Sequence, residues 1–147
     1  MIELNQINYI DFDLMKKMCH PIAVALFDSP KEPMTKFDEH EYALLDSALN
    51  NPRNSYYPTF PKKAAVLYYG IIKNHPFKNG NKRTATATLL TFLFINNFWI
   101  DSERDTEDYL VNLARRVANS KGSEQREEFL REIESWLNEY IRGNEVE

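Results

Sequence analysis

The sequence predicts an all-α fold, a helical bundle built as one domain over residues 1–147. Apolar residues recur three and four positions apart through most of the chain, which is the period of an amphipathic helix. Prolines and glycines occur singly, at positions where helices would end, and no repeat or low-complexity linker divides the chain. A length of 147 residues also suits one domain with one hydrophobic core.

The first 36 residues carry the weakest pattern. Residues 2–10, "IELNQINYI", favour a short strand or an extended lead. Residues 14–27 predict a helix in spite of Pro21, and residues 28–34, "DSPKEPM", predict a loop because of their prolines.

The middle of the chain predicts the centre of the bundle. Residues 38–51 place apolar side chains on one helical face, and the following proline ends that helix. Residues 54–60, "NSYYPTF", predict a small extended flap. A helix over 61–74 is apolar nearly all round, as is a second one that starts near Arg83 and includes the buried stretch 85–100. Because neither helix has a clear polar face, we expect the others to surround them.

Two further helices complete the predicted bundle. Asp105 or Thr106 can cap a helix that ends before the segment "NSKGS". The C-terminal helix, predicted over 124–142, carries one apolar stripe, with Ser123 as its cap and Gly143 as its end.

Bulk composition excludes several classes of protein. The chain is 43% hydrophobic and 27% charged, as folded domains are, and it has no run of about 20 apolar residues that would span a membrane. No secretory signal is visible at the N-terminus. A single cysteine, Cys19, allows neither an internal disulfide nor a zinc cluster. A net charge of −4 argues against a broad nucleic-acid surface. Together these features predict a cytoplasmic protein that binds neither nucleic acid nor membrane.

Charge is distributed unevenly along the chain. No acidic residue lies between Asp46 and Asp101, and all 22 acidic residues fall in the flanks. Seven cations occupy the same middle stretch: Arg53, Lys62, Lys63, Lys73, Lys78, Lys82 and Arg83. Burial would exclude both signs of charge, so the one-sided pattern indicates a local field suited to an anionic ligand.

The segment "NHPFKNGNKRTATA", residues 74–87, is too polar for a plain connection between two buried helices. Gly80 permits a backbone turn whose N–H groups converge, and the next helix adds the positive end of its dipole. His75, at the end of the preceding helix, can serve as a general base near neutral pH. These features predict a phosphate-binding loop with a base beside it.

Side chains of this loop extend the phosphate prediction. Asn81 can add a donor, Lys82 a point charge and Arg83 a planar fork. Phe77 lies between polar neighbours and is best explained as an anchor to the core. The candidate phosphate-binding residues are therefore Lys78, Gly80, Asn81, Lys82 and Arg83.

The stretch "HPFKNGNKR" resembles the signature of the Fic/Doc family, His-x-Phe-x-Asp/Glu-Gly-Asn-Gly/Lys-Arg, at eight of nine positions. The likeness is closest to the death-on-curing branch and extends over about residues 38–118, the expected core of the domain. It implies a Fic-fold helical bundle that binds ATP and transfers part of it to a hydroxyl side chain of a target protein.

The resemblance also implies a role for each matched residue. His75 would deprotonate the target hydroxyl, and the amides from Gly80 to Lys82 would hold phosphates together with Asn81 and Arg83. Magnesium would accompany the nucleotide. The flap residues Tyr56, Tyr57 and Thr59 would dock the target backbone as an added strand.

Three residues depart from patterns within the family. Lys82 replaces the glycine of AMP-transferring members, which favours a kinase over an AMP transferase. Asn79 replaces the Asp or Glu that holds magnesium, so metal affinity should fall. Thr86 replaces the arginine that an inhibitory glutamate pairs with, so restraint by a separate antitoxin chain is the better hypothesis.

The sequence is compatible with two functions. One is a Doc-like toxin of a toxin–antitoxin system, a transferase acting on a cytoplasmic protein such as a translation factor. The other, favoured by Asn79, is a catalytically weak or silent Fic-fold module that binds nucleotide or protein.

Overall fold

The computed structural model describes residues 6–102, 106–122 and 125–143, and its helices confirm the all-α class. Within these ranges the α-helices are α1 (Phe12–Leu14), α2 (His20–Phe27), α3 (Tyr42–Asn50), α4 (Phe60–Asn74), α5 (Asn81–Ile95), α6 (Thr106–Asn119) and α7 (Arg126–Tyr140). Met15–Cys19 forms a π-helical turn, and Phe37–Glu39 and Asn51–Arg53 form 3₁₀ turns.

The helix predicted over 14–27 is present, but it contains a π turn. Asp11 caps its start by accepting a hydrogen bond from the Leu14 amide at 2.8 Å. The His20 amide then donates to the Met15 carbonyl, five residues back. Because Pro21 has no amide hydrogen and its ring disturbs the turn before it, the wider π turn lets the helical path continue through the proline.

Helices α4 and α5 lie at the centre of the bundle, as their apolar sequences predict. Helix α4 packs against α3, α5, α6 and α7. The phenol of Tyr68 on α4 is fully buried and donates to the Leu110 carbonyl of α6 at 2.8 Å. No helix among the described residues is long and apolar enough to cross a bilayer.

Helix α5 is shorter than predicted, because the chain reverses at Asn96 and Asn97. Asn97 adopts a left-handed backbone conformation with φ of 65°. The side chain of Asn96 bonds to the main chain of Asn8, accepting from its amide at 2.8 Å and donating to its carbonyl at 2.9 Å. The prediction that helix continues to residue 100 is therefore wrong.

Two short strands occupy the ends of predicted helices. Strand β1 (Phe98–Ile100) pairs antiparallel with β2 (Ile141–Gly143), so that Trp99 lies opposite Arg142. The predicted C-terminal helix accordingly ends at Tyr140 rather than at residue 142. Each three-residue strand depends on a partner distant in sequence, which local periodicity does not reveal.

Other local predictions have mixed outcomes. Residues 54–59 form a loop of turns and bends before α4, with no strand. Of the two alternatives predicted for residues 2–10, the short strand does not form at residues 7–10, and residue 11 has no strand either. Residues 1–5 lie outside the described ranges. The proposed helix caps Asp105 and Ser123 also lie outside them.

Candidate active site

The C-terminus of α4 and the N-terminus of α5 meet at a cavity of about 670 Å³. His75 is the C-terminal cap of α4, is exposed, and lines this cavity. Its backbone is left-handed, with φ of 53°, and its amide still donates to the Ile71 carbonyl at 3.3 Å. Such a conformation is uncommon for a residue other than glycine and occurs often at functional sites.

Gly80 is the N-cap of α5 and has φ of 90°, a conformation that favours glycine. A Cβ atom at Gly80 would lie 2.9 Å from the Cε atom of Met34, so a larger residue would also displace the end of that side chain. The first turn of α5 follows directly, and the amides of Asn81, Lys82 and Arg83 have no earlier helical carbonyl to bond. With the helix dipole behind them, these amides form a site for an anion.

Asn81 fixes the path of the loop. Its Oδ1 accepts from the Phe77 amide at 2.9 Å, and its Nδ2 donates to the Phe77 carbonyl at 2.7 Å. The side chain is 4% exposed. The structure thus gives Asn81 a structural role beside the predicted phosphate contact, for which one hydrogen of its amide group remains.

Phe77 is 2% exposed and holds the loop to the core. Its ring centre lies 5.4 Å from that of His20 and 6.2 Å from those of Phe37 and His40. The loop is therefore anchored at Phe77 by ring contacts and at Asn81 by hydrogen bonds.

Three predicted cations of the loop line the cavity in different states. Lys78 and Lys82 are exposed, and neither has an ion-pair partner among the described residues. Arg83 is half-buried, and its Nη1 donates to the main-chain oxygen of Glu32 at 2.6 Å and of Phe27 at 3.3 Å. The Nε and Nη2 hydrogens of Arg83 remain for a ligand.

Tertiary packing adds two cations that sequence reasoning missed. Lys31 comes from the loop after α2, and Arg115 comes from α6; both are exposed and line the cavity. No local motif marks either residue, since each reaches the site only through the packing of its element. The apolar wall of the cavity, which includes Ile72, Val111 and Ala114, is also assembled by the packing of helices and has no local motif.

Segment 28–36 lies along the motif loop. The Asn79 amide donates to Thr35 Oγ1 at 2.8 Å, and the Thr35 amide donates to the Asn79 carbonyl at 3.4 Å. His20 Nε2 lies 2.8 Å from the Thr35 carbonyl oxygen and hydrogen bonds to it. Three contacts therefore hold Thr35 between α2 and the loop.

The predicted flap residues Tyr56, Tyr57 and Thr59 do not line the cavity and lie at the N-terminal end of α4. Thr59 caps the N-terminus of α4 by accepting from the Lys62 amide at 3.2 Å, and its hydroxyl donates to Glu134 on α7 at 3.0 Å. Tyr57 is buried and accepts a hydrogen bond from Arg126, whereas Tyr56 is exposed. Because α4 has 15 residues, these positions are about 20 Å from its other end, where His75 lies.

Thr86 lines the cavity one turn into α5. It is 3% exposed, and its hydroxyl donates to the Lys82 carbonyl at 3.1 Å. Burial raises the pKa of the neighbouring Tyr68 phenol well above its usual range, so this phenol is neutral at physiological pH.

The donors at the cavity do not fit a magnesium ion held by the protein. Asn79 is exposed and offers a neutral amide oxygen, and Glu32 is the one carboxylate among the described lining residues. No group of three or more His, Cys, Asp or Glu side chains that could hold a metal occurs in the described ranges. Magnesium prefers carboxylate ligands, whereas the described lining residues of the cavity include more cationic side chains than carboxylates.

Comparison with known proteins agrees with the motif. The model of the Fic/DOC family matches residues 3–93. Toxin Doc of Mycolicibacterium smegmatis (strain ATCC 700084 / mc(2)155) is 37% identical over 84 residues, which cover 52% of this chain and 65% of that toxin. The match thus spans somewhat less than two thirds of the toxin's length. No solved structure shows significant similarity to the chain.

Proposed function

This chain belongs to the Fic/DOC family, and we propose that it is a Doc-like toxin, a transferase that moves a phosphoryl group from ATP to a hydroxyl side chain of a target protein. The observation that carries the proposal is the cavity in which exposed His75 and the first turn of α5 meet. The similarity to Toxin Doc supports the toxin class. The resemblance to the death-on-curing branch suggests a cytoplasmic target such as a translation factor.

Binding of the nucleotide would use the anion site at the start of α5. Free first-turn amides, the helix dipole and the Arg83 fork would hold phosphate oxygens, and exposed Lys78 and Lys82 would add charge. The apolar wall around Val111 would cover the rest of the nucleotide.

Transfer would then need one base. His75 takes the proton of the target hydroxyl as its oxygen forms a bond to the γ phosphorus. The bond from that phosphorus to the oxygen bridging it to the β-phosphate breaks, and ADP leaves with the electron pair. Donors at the start of α5 stabilise the charge that develops on the phosphate oxygens. Exposure of His75 leaves room for a protein substrate to reach it.

Lys82 is the reason to favour phosphoryl transfer over AMP transfer. A glycine at this position would leave the cavity wall open, whereas the lysine adds bulk and charge beside Gly80. The resemblance associates this lysine with transfer of the γ-phosphoryl group. AMP transfer remains the second outcome of the labelling experiment below.

We assign docking of the target to segment 28–36 rather than to the residues around Tyr57. The segment lies against the motif loop through Thr35 and Asn79, and Lys31, Glu32 and Pro33 of the segment are exposed at the cavity. An extended target strand beside this segment would bring its hydroxyl near His75.

Restraint of the toxin would come from a separate antitoxin chain. Thr86 cannot form the ion pair that an inhibitory glutamate would need. Further along α5 on the same face as Thr86, the apolar side chains of Leu90 and Phe94 are 36% and 71% exposed. An amphipathic helix of the partner could cover these residues and the cavity together. Co-purification of a small partner would support this proposal, and a chain that is harmless when expressed alone would contradict it.

A catalytically weak or silent module is the alternative, and the neutral side chain of Asn79 favours it. One experiment separates the two. The protein is incubated with cell lysate and ATP labelled at the α or the γ phosphate, with His75→Ala as control. Label from γ in a target indicates a kinase, label from α indicates an AMP transferase, and no His75-dependent label refutes both enzymatic proposals.

A further inference from the structure

The charges that line the cavity are strongly one-sided. Five cationic side chains, Lys31, Lys78, Lys82, Arg83 and Arg115, face a single carboxylate, Glu32, among the described lining residues. Lys31, Lys78, Lys82 and Arg115 are exposed, and none of the five cations lies in an ion pair with another described residue. Their charge is therefore available to a ligand.

The position of these cations suits a chain of phosphates. Lys78 and Lys82 lie on either side of Gly80 in sequence, and Lys82 is the second residue of α5, where free amides and the helix dipole add to its charge. Arg115 reaches the same cavity from α6. Contacts from two elements would neutralise different phosphate groups of one ligand.

A divalent cation has the opposite environment. Proteins usually hold magnesium at nucleotide sites through one or two carboxylates together with the phosphates. Here Glu32 is the one carboxylate among the described lining residues, Lys31 precedes it in the chain, and Arg83 donates to its main-chain oxygen at 2.6 Å. A further positive ion would be repelled by the surrounding lysines.

From these observations we propose that the side-chain cations of this cavity take over the charge neutralisation that a magnesium ion supplies elsewhere, so that the site binds the free triphosphate polyanion with little dependence on a divalent cation. This inference rests on the proposed function, because it takes a nucleoside triphosphate as the ligand. It assigns Lys78 and Lys82 as the principal counter-charges.

Equilibrium binding tests the proposal without a catalytic readout. Isothermal titration calorimetry measures the affinity of the full chain for a non-hydrolysable ATP analogue, in EDTA and in excess magnesium chloride. We expect the two dissociation constants to agree within about threefold, and Lys82→Gln to weaken binding in EDTA by about tenfold. Lys16→Gln removes the same charge at an exposed position away from the cavity and should change affinity by less than about twofold.

Two variants add a carboxylate and remove one. Asn79→Asp introduces a carboxylate at the cavity, so it should weaken binding in EDTA and make magnesium favourable by about tenfold. Glu32→Gln should leave the small magnesium effect unchanged. Binding of the unmodified chain that requires magnesium would overturn the inference, as would a magnesium effect that Glu32→Gln abolishes. Absence of binding in both buffers would instead refute the nucleotide substrate of the proposed function.

Discussion

The side chain of Asn81 closes a ring on the backbone of Phe77, accepting from its amide at 2.9 Å and donating to its carbonyl at 2.7 Å. Both atoms of the amide group are buried with their partners. The first residue of α5 thereby sets the conformation of the four residues before it, and Gly80 takes its left-handed φ within that ring. The geometry of the anion site thus depends on a contact that no ligand needs to make.

Asn81→Asp should destabilise the protein. The new carboxylate can still accept from the Phe77 amide, but its second oxygen would face the Phe77 carbonyl where the amide now donates. Burying this repulsion should lower the free energy of unfolding by about 2–3 kcal/mol, as measured by urea denaturation. Asn79→Asp makes the same chemical change at an exposed position and should have little effect. Equal stability of the two variants would contradict the structural role of Asn81.

Thr35→Val should loosen the motif loop. The variant keeps the side-chain shape but removes the oxygen that accepts from the Asn79 amide at 2.8 Å. We expect unfolding free energy to fall by about 1–2 kcal/mol and affinity for the ATP analogue to fall with it. Thr35→Ser retains the oxygen and should restore most of both. A valine variant that binds as tightly as the unmodified chain would show that the contact does not position the loop.

The interface of α6 and α7 should respond to pH through Glu132. Hydrogen bonds from Arg116, at 2.7 and 3.0 Å, hold the pKa of this carboxyl below its usual range in the folded state. Burial raises the pKa of Tyr109 to about 12, so its hydroxyl stays protonated and donates to Glu132 at 3.1 Å.

The sign of the effect follows from the lowered pKa. The stabilisation is present above the unfolded value, near 4.5, and is lost as pH falls through the lower folded value. Glu132→Gln should therefore cost about 0.5–1 kcal/mol near pH 7, since the pair is partly exposed, and the difference should shrink in acid. Thermal melts across this pH range measure it, with exposed Glu128→Gln as control. A cost independent of pH would argue against the ion pair.

Cys19 should report global unfolding. The thiol is fully buried, and burial raises its pKa to about 11, so little thiolate forms near neutral pH. A chromogenic disulfide reagent should react with one thiol per chain in denaturant and far more slowly without it. Since the sequence has one cysteine, the signal has one source. Rapid reaction of the native protein would show that the π-helical turn Met15–Cys19 and α5 separate easily at this position.

Long apolar periodicity made the central helices predictable. The helix predicted over 61–74 is observed as Phe60–Asn74, because a helix buried nearly all round leaves a continuous apolar signal. Segments with a weaker periodic pattern are predicted less accurately. Residues 98–100 and 141–142 look helical by local pattern, yet they lie in strands because each strand satisfies the backbone groups of the other.

The sequence by itself determined the motif: His75, Gly80, Asn81, Lys82 and Arg83 are neighbours along the chain, so their proximity needs no tertiary information. Only the tertiary structure decided what surrounds it. Packing of α2 and α6 brings segment 28–36 and Arg115 to the cavity, and the length of α4 keeps the residues around Tyr57 at its other end. The physical reason is that a local pattern specifies a turn and its donors, whereas contacts between distant elements depend on how whole helices bury their apolar faces.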